Sequence, residues 1–166
     1  MTSADKTLIK KLFSKSISED EFIDEYSGNL SDDSNHFKML LNEAMLNKDG
    51  ELLEYAFFIG SYFKLWELDL VYVFNELLLE DWHRQHEDIV NSLQSAKNPT
   101  SVDTLYITAL KEFEYLNYDD TYALARKCTW ALSDINTPES IEKLRLLSKS
   151  GNSLVRQYAE KRLISR

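Results

Sequence analysis

His83, His86 and Glu87, with Cys128 further along, are the residues whose types could together hold a metal ion. Imidazole, thiolate and carboxylate are the ligands zinc takes, and positions three apart on a helix can share a face. The spacing argues against such a site. A zinc-protease helix needs histidines four apart with a glutamate directly after the first, and neither holds here. A helix drawn from Glu80 turns Trp82, His86, Ile89, Val90 and Leu93 inward and His83, Glu87, Asn91 and Gln94 outward. The expectation is a core His86 and a surface His83, with neither metal nor cofactor. Cys128 stands at helical spacing from Leu124 and Leu132, where apolar surroundings raise a thiol pKa and make it inert. The carboxylate pairs Asp32-Asp33, Glu80-Asp81 and Asp119-Asp120 fall at expected helix starts, where they favour the helix dipole. There is no Gly-rich phosphate loop, no catalytic residue is assigned, and the chain is not expected to be an enzyme.

Two other groups suit recognition. Tyr122, Arg126 and Trp130 lie at fourfold spacing on a helix expected over 120–133, an aromatic, cationic, aromatic row of types enriched in interaction hot spots. Trp130 reads equally well as a residue tucked between neighbouring helices. The preceding stretch, 111–120, mixes Glu112, Glu114, Asp119 and Asp120 with Phe113, Tyr115 and Tyr118. It is either a binding corner or a longer helix ending in a solvated loop.

The 166 residues predict a single all-α domain of about ten helices. With Gly 4 and Pro 2, tight turns are too few for a many-stranded sheet. Asp and Glu number 28 against 19 Lys and Arg, a net charge of −9, so nucleic acid is not an expected partner. The same charge favours solubility and speeds encounter with a basic protein. The lone cysteine fits a reducing compartment. The first residues lack the apolar core of a signal peptide, and no stretch is long and apolar enough to span a membrane, so a cytoplasmic location is expected.

The elements that position these groups follow from periodicity. A first helix is expected over 6–14, with Leu8, Ile9, Leu12 and Phe13. A second follows the Ser18/Glu21 capping box and carries Phe22, Ile23 and Tyr26 towards Gly28. A third, capped by Asp32-Asp33-Ser34, turns in Phe37, Leu40, Leu41, Ala44 and Met45, and stops over 47–50. A broad apolar face from Leu52 to Phe63 comes next. The helix at 66–79, apolar nearly all round, must be covered on most sides, with Val71, Phe74 and Leu78 as its buried row. Residues 1–81 thus form an N-terminal helical set and 82–166 a second.

The second set is one helical hairpin written twice. Asn98-Pro99-Thr100-Ser101-Val102-Asp103-Thr104-Leu105 recurs as Thr137-Pro138-Glu139-Ser140-Ile141-Glu142-Lys143-Leu144, the prolines standing about 39 residues apart, within the roughly 20–50 of solenoid repeats. Second helices follow each copy, over 120–133 and 153–164, the latter preceded by Gly151 at a left-handed cap.

With Ala125-Arg126 and Val155-Arg156 near the starts of the second helices, residues 82–163 resemble HEAT-type repeats. The segments 82–89 and 128–138 are further similar to small HEAT-like immunity proteins of bacterial polymorphic toxin and contact-dependent growth inhibition systems. The resemblance implies a HEAT-like α-solenoid of stacked helical hairpins, and a cytoplasmic inhibitor that neutralises a cognate toxin by binding over or beside its active site. A basic nuclease domain would suit the acidic surface, with no small-molecule substrate. The contact candidates are then His83, Glu87, Asp88, Tyr115, Tyr118, Asp119, Asp120, Tyr122, Arg126 and Trp130. The alternatives are a HEAT-like adaptor or regulatory scaffold, and a metal-dependent hydrolase or lyase resting on His83, His86, Glu87 and Cys128.

Overall fold

The computed structural model describes residues 1–28, 30, 35–65 and 70–164, and among them all regular structure is helical. The expected cap at 32–34 and the expected helix start at Trp66 lie outside the described residues. The chain divides into two compact units, Met1–Glu67 and Leu68–Arg166.

The first unit holds α1 (Ser3–Phe13), α2 (Glu19–Glu25), α3 (Asn35–Asn47) and α4 (Gly50–Tyr62). Helix α1 starts earlier than periodicity suggests, because Thr2 and Asp5 cap each other reciprocally. Asp5 is buried, and Ser27 also donates to it from its backbone and its hydroxyl, tying α1 to the chain after α2. Burial by itself would raise that carboxyl, but the hydrogen bonds from Thr2 and Ser27 hold it at about 2. The Ser18/Glu21 box forms as read from the sequence. Phe13 and Ile23 are exposed rather than inward. Helix α4 approaches α3 closely at Gly60, where a Cβ would lie 2.8 Å from the buried Phe37 ring.

The second unit holds α5 (Val71–Leu77), α6 (His86–Ala96), α7 (Val102–Leu110), α8 (Ala123–Ile135), α9 (Pro138–Leu147) and α10 (Ser153–Ile164). Helix α5 is a short element packed on α6 and on the 3-10 turn Pro99–Ser101. It buries Val71, Phe74 and Leu77 but exposes Tyr72, so it is not covered all round. Helix α8 touches α6, α7, α9 and α10, and α7 also lies against α9. Its buried face carries Leu124, Ala125, Cys128, Ala131 and Leu132. The doubled motif opens differently in its two copies. Pro99 starts a 3-10 turn behind an Asn98 cap, whereas Pro138 begins α9 directly behind a Thr137/Ser140 capping box.

Three expectations are corrected. Residues 80–85 are not helical, so α6 begins at His86. Helix α7 has 9 residues against 10 in α9, so 111–120 is not a longer helix; it is a loop around the 3-10 turn Glu114–Leu116. Gly151 does not take a left-handed conformation. Among the described residues, those with positive φ are Lys15, Lys48, Lys64, Lys97, Tyr122 and Asn136. No helix among the described residues is long and apolar enough to cross a membrane.

Candidate functional site

Freed from a helix, the segment before α6 folds back and buries His83, which is 2% exposed, beside His86. This overturns the outward placement of His83. The two rings stack at 4.3 Å between centroids, and Phe113 lies 3.9 Å from His86. His83 Nε2 is 2.8 Å from the Leu77 carbonyl, and the Gln85 N–H donates to His83 Nδ1 at 3.1 Å. His86 Nε2 is 2.8 Å from the Glu80 carbonyl, and His86 Nδ1 is 2.8 Å from the Tyr115 hydroxyl. A carbonyl only accepts, so each Nε2 carries the hydrogen, each Nδ1 accepts, and both rings are neutral. All four ring nitrogens are used within the protein; a metal would have to displace a bond at either ring. Burial pushes His83 down and His86 down to about 4, and pushes the Tyr115 hydroxyl up to about 12.

This ring stack fixes the base of the 111–122 corner. Lys111 Nζ donates to the Leu79 carbonyl and lies 4.7 Å over Phe113, closing one end of the corner. At the other end, Asp119 Oδ1 accepts from the Thr121 N–H and Oδ2 accepts from the Ala123 N–H. The Tyr158 hydroxyl donates to the Thr121 carbonyl at 2.6 Å, tying the corner to α10. Between these bonds Tyr122 is held at φ 52°, a left-handed conformation that a bulky residue adopts only where its neighbours enforce it. Its ring is 40% exposed and the Tyr118 ring 81%. Glu112, Glu114 and Asp120 are exposed beside them.

The corner walls a cleft of about 270 Å³ whose lining includes Thr108, Glu112, Asp119, Asp120, Tyr122 and Asn152. The Thr108 hydroxyl is buried there without a hydrogen-bond partner. Three of the sequence candidates, Asp119, Asp120 and Tyr122, therefore meet at one cavity. Tyr115 is spent below it on His86, and Tyr118 projects into solvent. Asp119 is more constrained than expected, since both of its oxygens already accept internal bonds.

The remaining candidates lie elsewhere. Glu87 pairs with Lys127 at 2.7 Å across α6 and α8, and Asp88 is exposed. Arg126 lies over the Trp130 ring, 5.5 Å from its centroid, and Arg162 of α10 lies over the same ring at 5.8 Å. Trp130 is 38% exposed, so it is neither fully tucked away nor free. Sequence reasoning missed Arg162 and Thr108. Thr108 stands on the face of α7 that buries Leu105, a position that signals core. Cys128 is fully buried, which pushes its thiol pKa up.

No family model, curated protein or solved structure matches this chain.

Proposed function

We propose that this chain is a cytoplasmic, HEAT-like immunity protein that binds a cognate bacterial toxin, a basic nuclease domain, and blocks it by covering its active site with the 111–122 corner. The observation that carries the reading is that corner. Glu112, Asp120 and Tyr122 line a cleft, the exposed Glu114 and Tyr118 stand on the same stretch of chain, and the corner is held on a buried, fully bonded base. Rings supply contact area at low entropic cost, and carboxylates supply charge-assisted bonds to Lys or Arg of the partner. The α-solenoid arrangement is supported in the second unit by the way first helices meet first helices, α7 on α9, while α6, α8 and α10 meet in series. The metal-enzyme alternative loses ground because both imidazoles are fully bonded. An adaptor would use the same face and differ only in its partner.

The test is co-purification from the native host, followed by a nuclease assay of whatever protein comes with the chain. The expected result is a basic nuclease that is silent in the complex and active once separated. A co-purified protein without nuclease activity, or one equally active in the complex, would contradict the proposal.

A further inference from the structure

From Tyr122 onwards the sequence carries nine Lys and Arg against four Asp and Glu, whereas residues 1–121 carry ten against 24. The net −9 therefore conceals a basic C-terminal stretch, and within it Arg126 and Arg162 converge on one indole. Neither guanidinium has a hydrogen bond or ion pair among the described residues, and the Nε of each is shut off from solvent with no acceptor. Asp119 feels the charge of Arg126, but its oxygens accept from Thr121 and Ala123 instead. Among the described residues each guanidinium leaves its terminal NH2 donors unused, and a guanidinium presents those donors in the planar geometry that pairs with a carboxylate. We infer that the Arg126–Trp130–Arg162 face of α8 and α10 is a docking site for an acidic peptide segment of a protein partner, whose Asp or Glu side chains pair with the two guanidiniums.

Charge complementarity selects that occupant. A single strand of nucleic acid would need the indole for base stacking, but both guanidiniums already lie over it. The inference holds whether or not the partner is a toxin.

The probe is a fluorescein-labelled octaglutamate peptide titrated into the full chain at low salt and followed by anisotropy. Binding is expected, weakened about tenfold by Arg126→Gln or by Arg162→Gln, as suits loss of a charge-assisted fork. Arg162→Lys should restore only part of the loss, because an ammonium keeps the charge without the fork. Lys149→Gln, an equal change of charge at an exposed position between α9 and α10, should change affinity by no more than about twofold. Circular dichroism confirms folding, and should Arg126→Gln fail to fold, the Arg162 variants carry the comparison with Lys149→Gln. No peptide binding, equal losses in Arg162→Gln and Lys149→Gln, or tighter binding of labelled octathymidylate would each overturn the site. So would low-salt self-association that Arg162→Gln abolishes, since the occupant would then be a second copy of this chain.

Discussion

The 111–122 corner and the Arg126–Trp130–Arg162 face belong to the same unit and are built in opposite ways. The corner is a local stretch of chain whose carboxylates and rings follow one another, and its shape is imposed from below by buried histidines. The face takes its parts from two helices, and no acceptor among the described residues meets its charges. Its guanidiniums are placed by helix geometry and by the indole between them. What the difference teaches is where each surface is vulnerable. The corner should fail when its base is disturbed, and the face only when its own side chains are changed.

The harshest way to break that contrast is to remove the base. His86→Ala leaves a cavity and removes the ring's bonds to the Glu80 carbonyl and to Tyr115, so a loss of about 3–4 kcal/mol is expected in urea unfolding. Hydrogen exchange should rise through 111–118 well before it rises through α10. Equal exchange in both would mean the corner does not rest on His86.

Acid should do the same more gently. His86 has its pKa depressed in the fold to about 4 from 6.5, so its contribution is complete above pH 6.5 and disappears as the pH falls towards 4. On the order of 2–3 kcal/mol is expected to be lost across that window. His83, shifted in the same direction, adds to the loss, whereas the Asp5 carboxyl titrates lower still. In His86→Gln the slope of stability against pH between 6.5 and 4 should flatten, while an unchanged slope would assign it to other groups.

Asp119→Ala removes the acceptor for the Thr121 and Ala123 N–H groups and should cost about 1–2 kcal/mol, read as a lower urea midpoint. The smallest effect sharpens the comparison most. Tyr122→Gly relieves a left-handed bulky residue, so stability should hold or rise by up to about 1 kcal/mol while partner affinity falls. Affinity kept at the wild-type value would remove Tyr122 from the contact.

How much of this was legible beforehand differs by region. Capping chemistry is local, and the Ser18/Glu21 box and the start of α9 at Pro138 were readable as they stand. The bounds of α10 followed from periodicity. His83 was misplaced because a helical projection was extended through 80–85; once that segment leaves the helix, the projection no longer says where the ring points. The ends of α1 and α3 fell where they were expected, near 14 and over 47–50, but their form was opaque, since lysines at 15, 48 and 97 occupy left-handed positions that glycine usually marks. In the second unit the sequence placed Arg126 and Trp130 on one helix face, but Arg162 joins them only through packing of α10 on α8.

The most direct test of the corner as the capture surface is the association rate of the co-purified basic partner with wild-type protein and with a Glu112→Lys/Asp120→Lys double variant. At low salt the double variant should associate about tenfold more slowly, with little change in dissociation, and the gap should close as salt rises. Equal association rates at low salt would contradict the assignment of the corner as the surface that meets the partner.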